Sequence, residues 1–298
     1  MDTMSNLENN KNMTKVDAMR ELWRALDFSS AEILQAALDA GADINAVHPE
    51  ECLTALQYAV IGRRTGRRSI EILIAAGVDV NAADRKGVTP LMLAVGKYAH
   101  RQAVKLLLAA GADVNARDED GCTALMKARR EESIKLLIEA GADVNAADKC
   151  GCTALHHLAS AGVGAPFLKL LIDAGADVNA RSMSGCTAII LAAGHFCSSG
   201  PFRVLLDAGA EVNAADAYGT TALSVASAWG EHDRPRRLLL EAGADDSKKI
   251  VAGDATFHER YHREKEAANP GYIENNKMLQ DLLLSYLFEE DDDELDSE

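Results

Sequence analysis

The sequence predicts an all-α solenoid of stacked helix–turn–helix units, and three observations carry that expectation. One hexapeptide recurs six times in near-copy: Gly41-Ala-Asp-Ile-Asn-Ala, Gly77-Val-Asp-Val-Asn-Ala, Gly111-Ala-Asp-Val-Asn-Ala, Gly141-Ala-Asp-Val-Asn-Ala, Gly175-Ala-Asp-Val-Asn-Ala and Gly209-Ala-Glu-Val-Asn-Ala, with a truncated seventh at Gly243-Ala-Asp-Asp. Their glycines stand 36, 34, 30, 34, 34 and 34 residues apart, and a fixed period of this length marks stacked repeats rather than a chain wound around one core. Before the connector, apolar residues keep helical spacing, as at Ile134, Leu137 and Ile138. A unit this small leaves its apolar side uncovered unless a neighbour covers it.

Taken in chain order, residues 1–13 are polar and are expected to be disordered. Residues 14–46 read as a capping helix pair without a preceding turn motif. Six repeats follow, at 47–80, 81–114, 115–144, 145–178, 179–212 and 213–246. Each opens on a tight turn closed by glycine, as in Asp118 to Gly121. A threonine then stands at a helix N-cap position, where its hydroxyl can accept an unpaired helix N–H; these are Thr54, Thr89, Thr123, Thr153, Thr187 and Thr221. A short Ala-rich helix and a second, striped helix come next, and the connector glycine ends the unit as a left-handed C-cap.

Two repeats depart from this grammar. The first has an irregular turn, Val47-His-Pro-Glu-Glu-Cys-Leu, without the glycine, and an inserted Gly62-Arg-Arg-Thr-Gly-Arg-Arg between its helices. In the third, 18 residues separate Thr123 from Gly141 where the other repeats have 22 or 23, which predicts a trimmed inter-helix loop. Residues 247–288 abandon the repeat and are expected to form a helical cap. Within them 276–288 is amphipathic, with Met278, Leu282 and Tyr286 on one face and Leu279, Leu283 and Leu287 widening it. Residues 289–298 hold eight carboxylates and read as a disordered acidic tail.

These motifs resemble the ankyrin repeat. Thr89-Pro90-Leu91-Met92-Leu93-Ala94 approaches that family's Thr-Pro-Leu-His-x-Ala pattern, Thr153-Ala154-Leu155-His156 keeps its histidine, and the Gly-Ala-Asp-Val-Asn connector is shared. The resemblance covers residues 47–246. It implies β-hairpin fingers, antiparallel helix pairs, an L-shaped stack, and a non-catalytic role in binding a partner protein. Adaptor, inhibitor or immunity protein, and delivered effector all fit that role.

Composition narrows the class further. The chain has 298 residues and a net charge of −15, which disfavours nucleic-acid binding, since neutralised phosphates supply most of such affinity. No stretch of 18 apolar residues suggests a membrane span, and the first residues lack the apolar core of a secretory leader. Cys122, Cys152 and Cys186 occupy one slot in three repeats. Equivalent atoms of adjacent repeats should lie roughly 10 Å apart, beyond the ~7 Å Cα separation a disulfide tolerates. Reduced thiols and a cytoplasmic location are therefore expected, with a monomeric protein.

Three motifs suggest chemistry. His258-Glu259-Arg-Tyr-His262 matches the HExxH zinc-hydrolase pattern, but Arg260, Arg263 and Glu264 surround it with charge, so it reads as an exposed cap helix, with a zinc-dependent hydrolase as the rival reading. Cys150-Gly-Cys152 lacks a second pair at zinc-site spacing. Gly162-Val-Gly164 lacks the Gly-Lys-Ser/Thr of a phosphate loop. No catalytic, cofactor or metal residue is expected.

A partner is expected to dock on the finger tips and the outward end of the first helices. On the C-terminal side these slots hold Met183, Cys186, His195, Tyr218 and Trp229, and aromatic anchors dominate interface energetics. On the N-terminal side they hold Arg63, Arg64, Arg67, Arg68, Arg85, Lys86, Lys97 and Arg101. That basic cluster suits an acidic partner segment, the chain's own acidic tail, or, as the rival to protein binding, nucleic acid.

Overall fold

The computed structural model describes residues 14–28, 30–62, 67–96, 101–162, 164–194, 199–228 and 233–246. Among them the only regular structure is helical. Helices α1 (Lys15–Asp27) and α2 (Ala31–Asp39) come first. Six pairs follow: α3 (Ala55–Ile61) with α4 (Arg67–Ala75), α5 (Pro90–Ala94) with α6 (Arg101–Ala109), α7 (Ala124–Lys127) with α8 (Glu131–Glu139), α9 (Ala154–Ser160) with α10 (Ala165–Asp173), α11 (Ala188–Ala193) with α12 (Gly200–Asp207), and α13 (Ala222–Ala228) with α14 (Asp233–Glu241). The expected tails at 1–13 and 289–298, the cap at 247–288 and the His258–His262 motif lie outside the described residues.

The described chain divides into two compact units, 14–118 and 119–246. In the first, α1 packs on α2 and α3, α3 on α5, and the second helices α2, α4 and α6 follow one another. In the second unit, first helices α7, α9, α11 and α13 stack in one layer and second helices α8, α10, α12 and α14 in another. Each second helix sinks one leucine to complete burial: Leu34, Leu73, Leu107, Leu137, Leu171, Leu205 and Leu239. Such a side chain contributes about 1.5–3 kcal/mol when fully buried, and its recurrence in every helix pair makes the core within each unit a row rather than a centre.

Polar side chains fix the spacing of the row. The connector asparagine accepts a backbone N–H from the next connector: Asn45 from Asp79 (3.1 Å), Asn81 from Asp113 (2.8 Å), Asn145 from Asp177 (2.8 Å), Asn179 from Glu211 (2.8 Å) and Asn213 from Asp245 (2.8 Å). The amide's other end donates to the next C-cap glycine carbonyl, at 3.0 Å for Asn145, Asn179 and Asn213. That carbonyl belongs to the glycines at positive φ, such as Gly175 (φ 92°), where a β-carbon is disfavoured.

Deeper in the stack, Gln57 accepts the Thr54 N–H (2.8 Å) and donates to the Val88 carbonyl (2.7 Å). His156 does the same three repeats later. Its Nδ1 accepts the Thr153 N–H (3.2 Å) and its Nε2 meets the Cys186 carbonyl (3.0 Å). That pairing assigns the neutral tautomer with the proton on Nε2.

Three local expectations need correction. The shortened third repeat loses helix as well as loop. Helix α7 has four residues, and the Arg129 guanidinium donates to the Met126 and Ala128 carbonyls (both 2.9 Å), which a longer helix would have bonded. The Thr123 and Thr187 hydroxyls stand at N-caps without a hydrogen-bond partner, whereas Thr54 and Thr89 cap as expected. The fingers carry isolated antiparallel bridges, Val47–Thr54, Ala147–Thr153 and Ala215–Thr221, instead of paired strands, because side chains take the backbone donors inside each turn.

The irregular first finger solves the missing glycine in its own way. Cys52 adopts φ 56°, the one positive-φ non-glycine among the described residues, and His48 Nδ1 accepts the Glu50 and Glu51 N–H groups (3.3 and 3.1 Å). The His48 ring stacks on Tyr58 (5.3 Å between centroids) and meets Trp23 edge-on (4.8 Å). Tyr58 also donates to Asp27 (2.6 Å). The leading helix pair is thereby tied to the first repeat by three rings and one hydrogen bond.

Two outcomes follow. Asn145→Ala loses both inter-connector bonds and should lower stability by about 1–2 kcal/mol in urea unfolding, with Asn145→Asp in between because it keeps only the acceptor. Cys52→Gly should raise stability by about 0.5–1 kcal/mol, as left-handed strain of about 1–2 kcal/mol outweighs the entropy cost of glycine.

Candidate interaction surface

The finger tips are built from short-range polar bonds. In the fourth finger Asp148 Oδ1 accepts the Cys150 and Cys152 N–H groups (2.8 and 2.9 Å), and the Asp148 N–H donates to the Cys152 carbonyl (2.9 Å). The sixth finger repeats this with Asp216, which accepts from Tyr218 (2.9 Å) and Thr220 (2.8 Å). The fifth substitutes Ser182, whose hydroxyl accepts the Cys186 N–H (3.1 Å). Carboxylate or hydroxyl, the side chain satisfies donors that the three-residue loop leaves unpaired.

Backbone bonds then join one finger to the next. Lys149 N–H donates to the Asp120 carbonyl (2.9 Å), Met183 N–H to Cys150 (2.9 Å) and Ala217 N–H to Ser184 (2.8 Å). Arg181 adds a side-chain link, donating to the Ala215 carbonyl (3.0 Å) and pairing with Glu211 (3.4 Å). Glycine is required where fingers approach. Gly151 has φ +74°, and a β-carbon there would stand 2.9 Å from the Met183 nitrogen.

On this framework two large apolar side chains project into solvent. Met183 is 79% exposed and Tyr218 is 60% exposed, on adjacent fingers. Of the other residues expected at this surface, Cys186 is buried, its thiol 3.9 Å from Asp216 Oδ2, so it belongs to the finger's base and not its tip. His195 and Trp229 lie outside the described residues.

The basic cluster is only partly described. Arg67 and Arg68 open α4 and both approach Glu71, at 2.6 and 4.0 Å. Arg85 is exposed at the second finger and Lys86 half-buried beside it, its N–H held by Asp84 (2.8 Å). Arg101 begins α6, and its side chain, like Arg63, Arg64 and Lys97, lies outside the described residues. Arg67 and Arg68 therefore converge on an anion within their own helix.

Beneath the fourth finger sits a polar cluster not anticipated from sequence. His157 Nε2 is 2.9 Å from Asp148 Oδ2, and the Cys122 thiol completes a buried trio whose donor atoms all lie within 4.8 Å of one another. Its sequence signal is the second histidine of Thr153-Ala-Leu-His-His157. No other repeat has a histidine there, and reading repeats one at a time separates Cys122 from its neighbours' residues. The described cysteines 52, 122, 150, 152 and 186 form no disulfide with one another.

A family profile described as ankyrin repeats (3 copies) matches residues 22–118, 97–182 and 157–250. The chain belongs to the ankyrin repeat family, whose members are protein–protein interaction modules. Among 484 matching chains of solved structures is the ankyrin repeat domain of Bcl-3, described as a unique member of the IκB protein family. It is 28% identical, with a TM-score of 0.60, over 74% of this chain and 97% of that one. No curated protein matches the sequence significantly. Among the described residues no helix is long and apolar enough to cross a membrane.

Gly151→Ala should cost more than Gly219→Ala. The two have similar positive φ (+74° and +78°), but only the first would meet a neighbouring finger. Left-handed strain of about 1–2 kcal/mol applies to both, so the excess in denaturant unfolding measures the finger–finger contact.

Proposed function

We propose that the chain is a non-catalytic binding module that engages a partner protein through its finger tips and the adjoining ends of the first helices. A capping pair at 14–46 and six repeats at 47–246 form the module. The observation that carries this reading is the placement of Met183 and Tyr218. Two bulky apolar side chains are exposed on adjacent fingers whose backbones are hydrogen-bonded to their neighbours. Ordering such a surface costs little on binding, because the fingers are already fixed. Tyrosine is among the residues that most often anchor interfaces, at about 2 kcal/mol or more each. His195 and Trp229 are proposed as further contacts of the same surface on sequence position alone.

The basic residues are proposed as a secondary contact for an acidic segment. Arg85 is the strongest of the described members because it stands exposed on a finger tip. An overall charge of −15 suits a partner that is basic elsewhere, since complementary charge accelerates encounter. A cytoplasmic adaptor, inhibitor or delivered effector would each use the surface in this way.

The test is affinity purification with the wild-type chain beside a Met183→Ala/Tyr218→Ala variant and an Arg85→Ala variant, quantified by mass spectrometry. A partner should bind the double variant about 30-fold more weakly, the equivalent of ~2 kcal/mol, and Arg85→Ala with reduced salt sensitivity. A partner retained equally by all three forms places the interface elsewhere.

A further inference from the structure

We propose that Cys122, Asp148 and His157 form a zinc(II) site, with Sγ, Oδ2 and Nε2 as protein ligands and a water in the fourth position. The three residues come from different elements of one compact unit. Cys122 precedes the N-cap threonine of α7, Asp148 stands at the base of the fourth finger, and His157 lies in α9. Their donor atoms already converge within 4.8 Å of one another, and all three residues are buried.

The chemistry of the set suits zinc. Thiolate, imidazole and carboxylate together select a borderline-soft metal over magnesium or calcium, which take oxygen ligands. Ligand atoms around tetrahedral zinc stand about 3.3–3.7 Å apart, from bonds of about 2.0–2.3 Å. The His157–Asp148 separation of 2.9 Å needs to open by only about half an ångström on that basis. Charge also balances. The thiol proton leaves for solvent on binding, and a divalent ion with one thiolate, one carboxylate and a neutral imidazole buries no net charge, the condition under which an ion is tolerated inside a protein.

The finger supplies the outer support such a ligand needs. Asp148 Oδ1 is already held by the Cys150 and Cys152 N–H groups, which aims Oδ2 and keeps the carboxylate monodentate. The repeat provides its own comparison. Cys186 approaches Asp216 in the same way (3.9 Å), but the residue in the slot of His157 is Val225 there. In the second repeat Val88 occupies the slot of Cys122. Only where the third and fourth repeats meet do thiol, carboxylate and imidazole coincide.

The experiment uses the full chain, reduced and stripped with a chelator, titrated with cobalt(II) and then with zinc(II). One equivalent of cobalt should produce thiolate-to-metal charge-transfer absorption and the visible bands of four-coordination, and zinc should abolish both. Cys122→Val and His157→Val should bind cobalt at least about 100-fold more weakly, since loss of an outer-shell partner alone costs about 10–100-fold. Both install residues that this chain carries in the equivalent slots, so the helical circular dichroism should persist. Cys186→Val and His262→Ala should titrate like the wild type. In the wild-type chain zinc should also protect Cys122 from alkylation, mapped by mass spectrometry, independently of any variant. The proposal is overturned by the lack of a thiolate band at stoichiometric cobalt, by a band that survives Cys122→Val or is lost in His262→Ala, or by alkylation of Cys122 at the same rate with and without zinc.

Discussion

The asparagine amide of the connector is the interaction on which the rest depends. It accepts an N–H from the next connector and, in three repeats of the second unit, donates to the carbonyl of the next C-cap glycine. Both bonds span one repeat, so they set the separation of adjacent second helices before any apolar contact is counted. A leucine at a constant place in each second helix then meets its neighbours at constant depth, which is why the same position is fully buried seven times. Individually these exposed amide bonds are modest, about 1 kcal/mol each. Their value lies in repetition, because stability in a stack is a sum of repeat and interface terms.

Spacing enforced at the connector end is matched at the finger end by backbone bonds and inside by Gln57 and His156. Those two side chains perform one task with different chemistry, closing a helix N-terminus and reaching the next repeat's backbone in the same stroke. Where the slot is filled by Met126 or Ile190, the threonine hydroxyl beside it is left without a partner. A long polar side chain at this slot thus adds an inter-repeat bond, whereas the short Ser224 bonds back to Thr221 in its own repeat. The fold tolerates either because the layers of helices on each side already carry most of the burial.

Within the second unit, fingers bonded backbone to backbone have two consequences for what the molecule can do. Side chains at the tips, Met183 and Tyr218 above all, are presented by backbone that is ordered in advance, so contact with a partner costs little conformational entropy. Side chains at the bases are forced to meet across repeats whether or not structure needs them to. Cys122 meets Asp148, and Cys186 meets Asp216, by the same register. One additional histidine turns the first of these meetings into a cluster with ligand chemistry. Functional novelty in such a stack requires a single substitution in one repeat, since the neighbour's contribution is already in place.

The sequence by itself determined the repeat: its period, the helix pair, the threonine that starts the first helix and the glycine that ends the second. These features follow from local backbone preferences and from apolar spacing, both written within 34 residues. It also placed Met183 and Tyr218 on finger tips, because the turn position is a local property. Tertiary structure decided what adjacent repeats do to one another. It set Gln57 and His156 against the backbone of the next repeat, and it brought Cys122, Asp148 and His157 together from positions up to 35 residues apart. The reason is physical: a linear pattern encodes which way a side chain points within its own unit, but a contact between units depends on the distance at which they stack, and that distance is fixed only when the asparagine bonds and the buried leucines are satisfied together.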